Sequence, residues 1–210
     1  MPIKLNIPNI FSFISVASPL FITSFFLMDS ALQFHMKGVI WLAGQLLSQL
    51  FALGLKGTGL PFIKNSLRQY LKDGTPHTVS DFCSVFDDIK YGEYASPSSH
   101  GVFHAFTLVY ICLGVGFSPS PTPSGITTII VLSLLAINDA IFRNYNKCET
   151  PLDFVVGAII GAVFGAVYWM LIFFAVPNKQ GQKLVYFGKE DNLRQCRMGK
   201  QKFKCEYRKI

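Results

Sequence analysis

Five apolar stretches, each long enough to cross a lipid bilayer, restrict what this chain can fold into. Residues 10–28 carry no charge, and 38–55, 100–117, 125–142 and 154–176 repeat the pattern with a single carboxylate among them, Asp139. A helical span takes about 17–25 apolar residues. In hydrocarbon the backbone polar groups must be satisfied within the protein, and helices do this with segments of that length. The expected fold is therefore all-α: a polytopic membrane helix bundle of about five spans. Composition agrees, with 50% hydrophobic residues, 20 Phe and only 15% charged residues, too apolar for an ordinary soluble domain. The length, 210 residues, suits one domain or at most two. The expected division is a transmembrane domain over 1–176 and a basic tail over 177–210.

The first stretch has a competing reading as a secretory leader. Ser15-Val16-Ala17 has the small-x-small form of a cleavage site, but it falls too early in the apolar run to follow a leader's hydrophobic region of about 7–15 residues. An uncleaved span, kinked at Pro19, is the favoured reading; whether 10–28 is retained stays open. In the second stretch Gln45, Ser48 and Gln49 form a polar face that should turn toward other helices. Gly157, Gly161 and Gly165 recur every four residues in the fifth stretch, letting another helix approach closely. That helix is one of the same bundle or belongs to a membrane-protein partner. The five Cys show no CxxC and no Cys/His metal spacing, so no metal or other cofactor is expected. Their odd count and scatter argue against a disulfide framework, with a Cys196–Cys205 bridge left open.

The charge of +7 is concentrated in the tail, where ten Lys/Arg face three Asp/Glu. Such a tail is a solvated topology determinant, or it is drawn to anionic lipid headgroups at about 1 kcal/mol per basic residue near the surface. Nucleic-acid binding is the weaker alternative, because no motif or aromatic-basic platform accompanies the charge. With five spans, the connection over 56–97 and the loop over 143–153 share one face of the membrane and the tail takes the other. Lys37 and the tail place eleven basic residues on one side. Lys4, Arg143, Lys147 and the five of the long connection place eight on the other. The positive-inside bias therefore puts the tail in the cytosol and the loops in a lumen, such as that of the endoplasmic reticulum or another internal membrane, or outside the cell.

Residues 96–101 read Ser-Pro-Ser-Ser-His-Gly and open the third span. A Pro-led turn at a helix start presents free N–H groups and the positive end of the helix dipole, both favourable to an anion. Ser98 and Ser99 carry hydroxyls for phosphate oxygens, and His100 can exchange a proton near neutral pH. The plainer reading is a capped membrane helix with an incidental His. A second constellation lies in the loop before the fifth span: Arg143, then Glu149-Thr150-Pro151-Leu152-Asp153, then the glycine-spaced helix.

Together these two stretches resemble the type-2 phosphatidic acid phosphatase superfamily of membrane phosphatases over roughly residues 38–176. That family carries Lys…Arg-Pro, then Pro-Ser-Gly-His, then Ser-Arg, five residues, His, three residues, Asp. Pro97, Ser98 and His100 match the second motif, with Ser99 in the Gly position. Arg143 and Asp153 match the third at the right separation. Lys56 stands for the first-motif Lys; Ile63 takes the place of its Arg, and Arg68 is the nearest Arg. Glu149 occupies the position of the nucleophilic His and Phe142 that of the Ser before the Arg. The family usually has six spans, one more than this chain.

The resemblance implies a mechanism in which the third-motif His attacks phosphorus, the Asp orients it, and the second-motif His protonates the leaving alcohol. It assigns His100, Asp153 and Glu149 to the catalytic positions. It assigns Lys56, Arg68, Ser98, Ser99 and Arg143 to phosphate, held by charge-assisted bonds. A carboxylate at 149 is a poor nucleophile toward a phosphate dianion and should instead pair with Arg143. His104, one turn beyond His100, is either a surrogate or a packed side chain. Three readings follow: a relative with weakened or lost phosphatase activity and a structural or interaction role; an active phosphatase acting on a lipid phosphate or pyrophosphate; or an unrelated channel or transporter component. The ligands these imply are membrane lipids, among them a lipid phosphate.

Overall fold

Four antiparallel turns of direction carry the chain through five long helices. A computed structural model describes residues 7–58, 96–118, 123–146, 148–175, 181–187, 194–198 and 203–207. The helices are α1 (Ile7–Leu32), α2 (Lys37–Thr58), α3 (Ser99–Gly116), α4 (Pro123–Tyr145) and α5 (Pro151–Ala175). A single turn, α6 (Gly181–Leu184), follows, and then an antiparallel pair of short strands, β1 (Arg194–Met198) and β2 (Phe203–Tyr207). All five long helices are long and apolar enough to cross a membrane. The protein is an all-α polytopic bundle of the integral-membrane type, as its apolar stretches require.

The bundle is built with its polar groups inside. Gln45, Ser48, His100, His104, Asp139, Arg143 and Asp153 are buried, while Phe13, Phe25, Leu134, Ile137, Val163 and Leu171 lie on the outside. In water this would be unstable; in hydrocarbon it removes polar atoms from lipid and leaves apolar side chains to meet it. Pro19 lies inside α1, which continues through it. The predicted polar face of α2 does turn inward: Gln45 and Ser48 are buried, and the Gln49 amide donates to the Ser99 carbonyl at 2.9 Å.

Helix α3 is the hub. Buried residues make up 61% of its span, against 17–33% for the other four. Its closest partner is α5, and the glycines set the approach. A Cβ on Gly157 would stand 2.4 Å from the Ser98 carbonyl oxygen, one on Gly161 2.3 Å from that of Val102, and one on Gly165 2.8 Å from that of Phe106. From the other side, a Cβ on Gly101 would lie 2.6 Å from the Phe154 carbonyl oxygen. Only glycine lets the two backbones come this close, and lipid gives no hydrophobic drive to replace that packing. The stripe is thus engaged by α3 of the same chain. Around this contact pack Phe26, Trp41, Phe106, Tyr110, Ile111 and Trp169, all almost completely buried.

The tail departs from the expectation at two places. Gly181–Leu184 and the residues after it close onto the bundle: Val185 and Tyr186 are buried, and the Tyr186 hydroxyl donates to the Phe26 carbonyl at 3.0 Å. The apolar run Leu-Val-Tyr-Phe over 184–187 has no place in water, so the helical body extends past residue 176. Farther on, β1 and β2 pair with Cys196 opposite Cys205. Strand pairing depends on the partner segment, and neither five-residue stretch signals it by itself.

Candidate functional site

The alternation of helices brings the N-termini of α1, α3 and α5 and the C-termini of α2 and α4 to one end of the bundle. Cross-contacts tie that end together. The Asn146 amide donates to Ser12 Oγ at 3.2 Å, Lys56 Nζ to Ser99 Oγ at 3.2 Å, and the Ser98 backbone N–H to the Asp153 carbonyl at 3.1 Å. Every described residue of both sequence constellations therefore lies at this end. Arg68 lies outside the described residues.

Local chemistry explains each placement. Ser98 is the N-cap of α3, its Oγ accepting the Gly101 N–H at 3.0 Å. Its acceptor is thus committed to the helix start, as in the plainer reading of the motif. Thr150 caps α5 in a reciprocal arrangement. Its Oγ1 accepts the Asp153 N–H at 3.2 Å, while Asp153 Oδ2 accepts the Thr150 N–H at 3.1 Å and the Thr150 hydroxyl at 2.7 Å. This is a capping box closed by Asp in place of Glu. Asp153, fully buried, holds the loop that carries Glu149 against the helix start.

Arg143 and Glu149 form an ion pair, Nε to Oε1 at 3.1 Å, with both side chains about as buried as core residues (6% and 5% exposed). The pairing expected from the sequence is present. Lys56 reaches Ser99 from the last turn of α2, so a second cation stands at the helix start beside the His.

His100 turns toward a residue that the motifs do not name. Its Nδ1 lies 2.9 Å from Asp139 Oδ2, one helical turn before Arg143 on α4. His104 Nε2 lies 3.2 Å from the same oxygen and 3.1 Å from Ser18 Oγ. Ser15 Oγ donates to the other Asp139 oxygen, and Ser18 Oγ donates to the Ser15 carbonyl at 2.8 Å. Asp139 is fully buried, and His100 and His104 nearly so. His104 is packed within this network. The signal for Asp139 was present in the sequence as the one carboxylate inside an apolar span, where an ionisable group needs a partner. Ser15 and Ser18 gave no such signal, since hydroxyls are common in membrane helices. Their network also ties α1 into the site end of the bundle.

Cys148, next to Glu149, is disulfide-bonded, a bond that the odd count and scatter of the cysteines, which argued against a disulfide framework, did not point to. The count misleads because Cys112, within α3, is a free thiol, so parity says nothing about the others.

The fold and site thus define an integral membrane protein with a buried, charged cluster at one end of a five-helix bundle. Comparison with protein-family models, curated proteins and solved structures finds no match to this chain.

Proposed function

We propose that this protein is a divergent relative of the type-2 lipid-phosphate phosphatases whose anion site is occupied from within. In this reading it hydrolyses lipid phosphates slowly or not at all and serves its membrane as a structural or interaction protein. The observation that supports this is the buried Arg143–Glu149 pair at 3.1 Å. The guanidinium that would neutralise phosphate already has a carboxylate partner, and an incoming dianion must displace that carboxylate or meet its repulsion. Asp153, the residue that would orient a nucleophilic His, is engaged in the helix cap.

One observation favours the active alternative. His100 is held through Nδ1 by the buried Asp139 carboxylate, the arrangement by which a carboxylate fixes an imidazole for proton transfer or attack. Phosphate release from a short-chain phosphatidic acid by the purified protein in detergent decides between the two. The expected result is release at background for the wild type and a measurable rate for Glu149→His, lost again in Glu149→His/His100→Ala. Brisk release by the wild type, unchanged in Glu149→Ala, would overturn the occluded-site reading.

For sidedness, the disulfide at Cys148 supports an oxidising compartment for the site end. The basic tail then lies in the cytosol, in keeping with the positive-inside bias.

A further inference from the structure

Three groups with the chemistry of transition-metal ligands meet at a place to which the cysteine spacing gives no pointer. One ring nitrogen of His100, one of His104 and an Asp139 carboxylate oxygen all lie within 4.8 Å of one another, and all three residues are buried. The two histidines are four residues apart on one face of α3, so a single helix presents both imidazoles to α4. Zinc bonds to His nitrogen and Asp oxygen at about 2.0–2.2 Å, which makes the edges of its tetrahedron about 3.3–3.5 Å long. The observed His100–Asp139 and His104–Asp139 separations are 2.9 and 3.2 Å. Admitting the ion requires these two edges to open by a few tenths of an ångström and the two ring nitrogens, which lie within 4.8 Å of each other, to come to the same edge length.

We propose that His100, His104 and Asp139 form a binding site for a divalent transition-metal ion of the zinc type, joining α3 to α4 inside the membrane bundle. Two imidazoles and one carboxylate suit zinc and its first-row neighbours. They do not suit calcium or magnesium, which require six or more oxygen-rich ligands. Coordination replaces the two N–H···O contacts. Each imidazole then gives a lone pair to the ion and keeps its proton on its other ring nitrogen. Ser15 holds the second oxygen of Asp139 and so fixes the direction of the ligating one, the outer support that metal-binding carboxylates ordinarily have. Three protein ligands leave one tetrahedral position open, and Ser18 Oγ, 3.1 Å from His104 Nε2, stands beside it. The site is independent of the Arg143–Glu149 reading, since neither of those residues contributes a ligand.

The test uses the full-length protein in detergent, stripped with chelator, incubated with zinc sulfate, freed of excess by gel filtration and measured by mass spectrometry of the metal. Stoichiometric zinc is expected in the wild type and in Gly54→Leu, where an added Cβ meets no described atom within 4 Å. Asp139→Asn and His104→Gln should each bind at least about tenfold more weakly, a loss of the size seen even for outer-shell changes. So that the test does not depend on the folding of these variants, the wild type is also loaded with cobalt chloride. A tetrahedral ligand-field spectrum, with X-ray absorption showing imidazole scattering, is the expected result. Wild-type protein that elutes as a folded species yet keeps no zinc and shows no such cobalt spectrum would overturn the proposal and leave a proton-sharing network in its place. Zinc retained at full stoichiometry in a folded Asp139→Asn/His104→Gln protein would overturn it equally.

Discussion

Arg143 and Glu149 cannot be altered singly without consequence, because each is the other's compensation in a buried site. Removing one partner of such a pair strands a charge and costs about 3–5 kcal/mol. Glu149→Ala should therefore lower the unfolding midpoint in detergent, and Arg143→Met/Glu149→Leu should recover much of the loss. A Glu149→Ala protein as stable as the wild type would show that the pair is not formed in solution. Thr150 is a milder case. Its hydroxyl and backbone share the Asp153 carboxylate, and Thr150→Ala should cost about 1 kcal/mol through the lost cap. At this scale the sequence was informative about charge. Glu149 at the spacing of a nucleophile announced a partner for Arg143, and that partner is where the structure puts it. It was silent on Ser15 and Ser18, whose roles depend on a helix more than a hundred residues away.

Helix α5 depends on its glycines because backbone, not side chain, is what they meet. Gly161→Val would drive a Cβ to within 2.3 Å of the Val102 carbonyl oxygen, which cannot move aside as a side chain could. The α3–α5 contact should open, at a cost of about 1–3 kcal/mol or more for overpacking. Gly54→Leu is the matched control, since among the described residues nothing lies within 4 Å of the position a Cβ would take there. It should leave the thermal midpoint unchanged while Gly161→Val lowers it; equal effects would mean that α3 and α5 do not pack this way. The period of four in these glycines was legible in the sequence. Which helix they admit was not, because a small-residue stripe specifies a close approach and leaves the partner unnamed.

Across the whole molecule, five spans put the start of α1 and the loop holding Cys148 at one end and the docked Val185–Tyr186 segment at the other. In sealed microsomes, protease should remove an epitope from the C-terminus without detergent. Cys148 should react with maleimide only after permeabilisation and reduction. Modification of both Cys148 and Cys196 from the cytosolic face, without permeabilisation, would sink the five-span arrangement.

The sequence by itself determined the class of fold, the number of spans and their boundaries to within a few residues. Those follow from hydropathy, and hydropathy is a local property of consecutive residues. It also placed the two charged constellations at one end, because two spans, α3 and α4, lie between them and bring the chain back to the same side. Only the tertiary structure decided what those residues touch. Asp153 closes a helix cap, Asp139 gathers two histidines, and Ser12, Ser15 and Ser18 of α1 complete the polar interior. Each of these depends on which helix faces which, and lipid, as apolar as the helices themselves, offers no hydrophobic pattern from which that choice could be read.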